Sequence, residues 1–242
     1  MTTEQFSDEF DTLLNTQSII KEFGFTQGLE LNEYEKSVFL SNAQEELVRQ
    51  TYKGENNSRE GFDETELSRR YLDKLIKQTT VISTVAISVD EKINGSSTFF
   101  ALPADLMVIT LEQLEVSSGQ ACYNGNVIDI IPIRQDEYLV LKKNPFKAPT
   151  MKGRTNQAWR LDYGNDPSRV IEIIAPSEVT PAKYIVRYLR KPKPIILAIL
   201  PAELNIDGET NIQTSELDSI FHRQILEVAV LKALQSKSLT TK

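Results

Sequence analysis

Cysteine and histidine are each present once, as Cys122 and His222. A single cysteine excludes an intrachain disulfide, and one of each excludes a zinc site of the usual Cys/His type. A reducing compartment is the plain inference. Long hydrophobic runs are also missing. The longest apolar stretches resemble Ile195 to Leu200, far short of the roughly 18 residues that cross a bilayer. The opening Met1-Thr2-Thr3-Glu4-Gln5 is acidic and polar, unlike a secretory signal. No G-x-G-x-x-G or G-x-x-x-x-G-K-[ST] phosphate cradle occurs, and no G-x-S-x-G elbow presents a serine nucleophile.

What is present is ordinary for a soluble folded chain: 242 residues, 40% hydrophobic and 25% charged. That length allows one large domain or two small ones with a real core. The net charge of −7 is unevenly spread. Residues 1–80 carry 16 acids and 9 bases, and residues 81–140 carry 8 acids and 2 bases. Residues 141–200 reverse this with 4 acids and 12 bases, and residues 201–242 have 6 acids and 4 bases. Such polarity bears on association rather than fold. Either the charges are scattered over solvated faces, or a basic segment of one copy meets an acidic segment of the next. The second arrangement is head-to-tail, and head-to-tail contacts close into rings when the rotation allows.

Candidate chemistry is thin. His222 stands beside Arg223 in a helical stretch, the setting of a surface or boundary residue. Cys122 reads as a small buried apolar residue rather than a nucleophile. The neighbouring carboxylates Asp8-Glu9, Glu45-Glu46 and Asp136-Glu137 lack the opposed environments that acid/base pairs need. Asp63, Glu64 and Glu66 suit a helix start, and Asp90-Glu91 lacks calcium-loop spacing. These observations predict no catalytic residue, no cofactor and no metal. Lys142, Lys143, Lys147, Lys152, Arg154 and Arg160 gather around Phe146 and Trp159, with Arg187, Arg190, Lys191 and Lys193 following. Basic residues among aromatics can bind nucleic acid, but this chain is acidic overall, with a pI near 5.0. A solvated or partner-facing stretch is the better reading.

The pattern along the chain predicts an α+β fold. A first helix is expected from about Ser7 to Phe23, with Gly24 at its stop. A second starts at the Asn32/Glu35 capping box and ends at Gly54, and a third starts at Asp63 with Glu66. Leu67, Tyr71, Leu72, Leu75 and Ile76 give the third its apolar face, and the polar segment 54–61 is a loop. Strand patterns follow over Val81 to Val89, Thr98 to Leu102, Met107 to Val116, Val127 to Ile133, Val170 to Ile174 and Tyr184 to Leu189. Asn94-Gly95, Asn124-Gly125 and Asp166-Pro167 are turns between them. A short helix is expected at Pro103 to Leu106. Lys191-Pro192-Lys193-Pro194 forbids a central strand and favours an extended exit. Ser215, with Asp218 three residues on, is expected to cap a final helix. Its apolar side runs through Leu217, Ile220, Phe221, Ile225, Val228, Leu231 and Leu234.

The expected plan is therefore an N-terminal helical part over residues 1–80, an inserted and mostly antiparallel β-rich domain over 81–194, and a connection with a returning helix over 195–242. The N-terminal and C-terminal helices form a bundle in this plan.

Several segments together resemble structural proteins of crAss-like phages. Asn32 to Leu40, followed by Ala43 to Val48, resembles their first long helix. Phe99-Phe100-Ala101-Leu102-Pro103-Ala104-Asp105-Leu106 resembles the strand and turn that follow. Asn144 to Pro149, Trp159 to Asp162 and Tyr184 to Leu197 resemble their mid-region, and Glu216 to Val230 resembles their ending. The likeness spans about Asn32 to Leu234. It implies a structural, non-enzymatic head-to-tail connector or ring protein of a podovirus-type tail, resident in the virion and assembled in the bacterial cytoplasm. It implies about a dozen copies around the DNA channel, partnered by the portal, other rings, a hub or the tail nozzle. Viral DNA would pass without specific binding, and no membrane is involved. The candidate contacts to neighbours are Arg187, Tyr188, Arg190, Lys191, Pro192, Lys193 and Pro194, with Phe146 and Trp159. The alternative is another tail or tail-fibre-attachment protein off the central axis.

Overall fold

The protein is described from a computed structural model, for residues 1–19, 30–53, 70–82, 84–88, 92–151, 156–164 and 169–240. The expected third-helix start at Asp63 and Glu66, the 54–61 loop, Gly24, Asp90-Glu91, Lys152, Arg154 and the Asp166-Pro167 turn lie outside these residues. In chain order the elements are α1 (Thr3–Ile19), α2 (Glu33–Lys53), β1 (Ile76–Val81), β2 (Thr84–Val85), β3 (Thr98–Ala101), β4 (Leu106–Ser117), β5 (Val127–Pro132), α3 (Tyr138–Lys142), β6 (Gln157–Asp162), β7 (Val170–Ile174), β8 (Thr180–Arg190) and α4 (Ser219–Thr240). The fold is α+β. The chain divides into two compact units, one of Met1–Leu75 with Lys191–Lys242 and one of Ile76–Arg190.

In the helical unit the helix starts follow capping chemistry rather than the first apolar residue. α1 begins ahead of the expected Ser7 because Thr2 and Gln5 form a reciprocal box. The Thr2 N–H donates to Gln5 Oε1 at 2.9 Å, and the Gln5 N–H donates to Thr2 Oγ1 at 3.3 Å. The expected Asn32/Glu35 box is present. Glu35 N–H donates to Asn32 Oδ1 at 2.7 Å, and Asn32 N–H donates to Glu35 Oε2 at 3.1 Å. The cap of α4 is corrected from Ser215 to Asp218, whose Oδ1 accepts the Ile220 N–H at 3.3 Å. Ser215 is employed elsewhere, as described below.

α1 buries Phe6, Phe10 and Leu14 at four-residue spacing. The Phe6 ring lies 5.2 Å from that of His222 on α4. Lys36 of α2 is buried, and its Nζ donates to Asp11 at 2.6 Å, Glu33 at 3.0 Å and Ser7 at 3.1 Å. Burial works against the charge, but the Asp11 and Glu33 carboxylates hold the Lys36 ammonium above the usual lysine range. Lys232 of α4 pairs with Glu46 of α2.

The second unit is an eight-stranded sheet in the order β1-β8-β4-β5-β6-β7-β3-β2. Every pairing is antiparallel except β5 with β6. Its entering and leaving strands are neighbours, with Ile76 opposite Leu189 and Val81 opposite Tyr184. Ile76, expected on a helical apolar face, instead opens β1 after a 3₁₀ turn at Asp73–Leu75, and its side chain is exposed. Pro103 to Leu106 is a turn rather than a short helix, closed by the Leu106 N–H on the Pro103 carbonyl at 3.1 Å. The β4–β5 hairpin turns at Gly125, whose φ of 77° lies in the left-handed region that glycine adopts freely.

The sheet curls on itself. Five strand spacings separate β8 from β3, about 24 Å in a flat sheet. Yet Phe100 of β3 stacks on Tyr184 of β8 with ring centroids 5.8 Å apart. One core therefore draws on strands from across the sheet, including Leu114, Ile128, Ile171 and Val186. A smaller cluster on Tyr138, Trp159, Leu161 and Ile174 sits beneath α3.

Candidate functional site

The segment expected to be an extended exit is extended, and it is held by its own helix. Ser37, Ser41 and Gln44 stand on one stripe of α2, spaced by four and three residues. The first step is about 6.0 Å along a helix, close to the roughly 6.6 Å covered by two extended residues, and the second is about 4.5 Å, where the longer glutamine side chain covers the difference. Each polar side chain therefore meets every second residue of the 193–197 backbone. Gln44 Nε2 donates to the Lys193 carbonyl at 2.7 Å. Ser41 Oγ accepts the Ile195 N–H at 3.0 Å and donates to the Ile195 carbonyl at 3.2 Å. Ser37 Oγ accepts the Leu197 N–H at 3.0 Å while donating to the Glu33 carbonyl at 2.6 Å.

Further backbone groups of this arm are partnered from the segment that follows it. Lys193 N–H donates to Glu216 Oε2 at 3.1 Å. Ile196 and Gln213 exchange backbone bonds at 2.9 and 3.0 Å. Ser215 Oγ donates to Gln44 Oε1 at 2.6 Å, which orients the amide that reaches Lys193. Pro192 and Pro194, lacking an N–H to satisfy, are buried. Lys191 Nζ lies 2.9 Å from Asp207 and 3.5 Å from Glu45. Burial opposes its charge, but those two carboxylates hold it above the usual lysine range. Lys193 is exposed.

The other candidate contacts are dispersed. Arg187 is exposed on β8, and its guanidinium donates to Gln78 Oε1 at 3.0 Å. Tyr188 is buried, and its hydroxyl donates to Asp105 Oδ1 at 2.8 Å. Burial and then that carboxylate raise the Tyr188 hydroxyl above the usual tyrosine range. Arg190 is half-buried at the end of β8. Trp159 and Phe146, grouped by sequence, point opposite ways. Trp159 is buried edge-on against Tyr138 at 6.1 Å, whereas Phe146 is 94% exposed.

Leu139 and Val140 escape sequence reasoning. They are 67% and 71% exposed, because Tyr138 and Leu141 turn inward toward Trp159. Lys142, Lys143 and Lys147 are exposed around them. Residues 139–147 thus expose apolar and basic side chains side by side in sequence.

Polar groups in the cores are structural. Glu112 on β4 accepts from Arg160 at 2.8 Å and from the Tyr184 hydroxyl at 2.9 Å. Burial raises the Glu112 carboxyl above its ordinary value despite the Arg160 guanidinium. His222 is buried rather than at a boundary, with Nε2 3.3 Å from the Leu217 carbonyl and Nδ1 3.1 Å from the Met1 amine. Burial and then that positive amine keep its pKa below the ordinary 6.5. Cys122, expected to be buried, is exposed, since it lies in the hairpin turn rather than in a strand. Among the described residues no three His, Cys, Asp or Glu side chains gather as a metal site. No described helix is long and apolar enough to cross a membrane.

Comparison with known proteins gives a consistent picture. The family described as phage tail ring protein 3/4 matches residues 1–242. The chain is 37% identical to ring protein 3 of Bacteroides phage crAss001 over 247 aligned residues, covering 100% of this chain and 98% of that protein. It is 33% identical to ring protein 4/5 of the same phage over 237 residues, covering 95% and 91% respectively.

Proposed function

This chain belongs to the phage tail ring protein 3/4 family, and from that premise we propose that it forms a ring in the head-to-tail connector of a crAss-like phage. It is a structural component of the virion, not an enzyme. The observation that carries the proposal is the full-length match to two ring proteins of one phage.

In this reading about a dozen copies associate head-to-tail below the portal, surround the DNA passage and join capsid to tail. The portal, neighbouring rings, a hub and the nozzle are the partners, and assembly takes place in the host cytoplasm. The helices α1, α2 and α4 serve as a bundle that gives each copy a rigid body. Arg187, Lys193 and Phe146 are the sequence-identified residues exposed to meet a neighbour, while the backbone of the 193–197 arm is retained by α2. A net charge of −7 repels phosphate, so DNA slides past rather than binding.

The test is cross-linking of intact virions followed by mass spectrometry. The proposal expects links between copies of this chain and from it to the portal or another ring. Links solely to fibre proteins would place it off the central axis and overturn the reading.

A further inference from the structure

We infer that the 138–148 segment, with Phe146 at its tip, docks on the acidic outer face of α1 in a second copy of this chain. The inference rests on the ring reading above and assigns it a contact.

Phe146 is presented by an ordered loop. The Asn144 side-chain oxygen accepts the Phe146 N–H at 3.0 Å, and the Asn144 carbonyl accepts the N–H groups of Lys147 and Ala148, each at 3.1 Å. Gln157 of β6 donates to the Lys147 carbonyl at 2.9 Å. At the other end, Tyr138 is buried against Trp159. A loop fixed at both ends thus holds a phenyl ring 94% exposed, with Leu139 and Val140 close by in sequence and also exposed. Scattered exposed apolar residues are normal, but a cluster rimmed by charge marks an interaction site. The rim here is basic: Lys142, Lys143 and Lys147 have no carboxylate within ion-pair distance among the described residues.

The complement lies on the same chain. Glu4 and Asp8 are exposed one turn apart on α1, with Glu9 beside them, and none is in an ion pair among the described residues. Thr3, Glu4, Ser7, Asp8, Glu33 and Leu197 line a groove of about 380 Å³. Leu197, itself buried, contributes the apolar part of the groove's lining, and the carboxylates give it the sign that the lysines need. Two like surfaces would repel, so the contact joins unlike faces. Each copy then uses its loop on one neighbour and its α1 on the other. Contacts of that type close into rings, and one half lies in each compact unit.

The experiment is charge exchange, read by light scattering and negative-stain imaging of the full chain with its portal. The variants are a loop reversal, K142E/K143E/K147E, and a helix reversal, E4K/D8K/E9K. All these side chains are exposed, and circular dichroism and thermal unfolding check that the variants fold. Each reversal alone should lower ring yield about tenfold or more, as should Phe146→Ser. The two reversed proteins mixed, or both reversals in one chain, should restore rings. If the wild type forms rings and both single reversals assemble equally well, this contact is wrong while the ring reading stands. Lost assembly that neither the mixture nor the double reversal restores also overturns the contact. So does a loop reversal that spares rings but loses another tail protein. A wild type that forms no ring on the portal overturns both readings.

Discussion

The Ser41 hydroxyl and the backbone of Ile195 exchange two hydrogen bonds, the N–H donated at 3.0 Å and the carbonyl accepting at 3.2 Å. One side chain thereby satisfies both polar groups of a buried residue 154 positions away. Ser41→Ala leaves both unpaired, and an unsatisfied buried polar group costs about 1–3 kcal/mol. The variant should unfold at lower denaturant with an unchanged slope, and hydrogen exchange at Ile195 should quicken. Unchanged protection there would mean that α2 does not hold the arm.

Arg160 and Glu112 make the second strong prediction. Their side chains are 13% and 8% exposed, so Arg160→Ala strands a buried carboxylate, a loss of about 3–5 kcal/mol for a broken buried pair. Adding Glu112→Gln should recover part of it, since Tyr184 can still donate to the amide oxygen. Equal stability of the single and double variants would contradict the pairing.

The raised Glu112 carboxyl also sets a pH dependence. The folded state keeps this proton at a pH where the unfolded chain has lost it. Its contribution is therefore full below the unfolded pKa of about 4.3 and is lost as pH rises through the higher folded value. Comparing stability of the wild type and Glu112→Gln between about pH 4 and 7, a range that starts just below that value, should isolate this slope. A difference between them that does not vary with pH would contradict it.

His222 works in the opposite direction. Its folded pKa lies below the ordinary 6.5, so the unfolded chain takes up a proton first as the solution is acidified. Its stabilising contribution is present above 6.5 and is lost as pH falls through that value toward the folded one. His222→Gln should flatten the fall in Tm between about pH 7.5 and 5.5. An equally steep fall in the variant would remove His222 as the cause.

Exposed Cys122 should react with a thiol reagent in the native protein as fast as in the unfolded one. Reaction only after denaturant is added would contradict its position in the turn.

Much of the scaffold was legible because it obeys local rules. The Asn32/Glu35 box, the Val170 to Ile174 run and the Asn124-Gly125 turn each behave as their chemistry dictates. What was hidden depends on tertiary partners. Ser37, Ser41 and Gln44 carry no signal of their own in the sequence, yet they are the side of α2 that binds the arm. β6 escaped because Gln157 to Asp162 mixes polar and apolar residues whose burial comes from β5 and β7. For the site, sequence named Phe146 but paired it with Trp159. Only the fold separates them, one ring projecting to solvent and the other buried under α3. Leu139 and Val140 went unnoticed because the short helix that turns them outward was not visible in the pattern.

Ring formation is read most directly from the mass and image of the purified protein, alone and with the portal of its phage. A closed ring, formed alone or on the portal, is the expected result. A protein that stays monomeric and ignores the portal would contradict it.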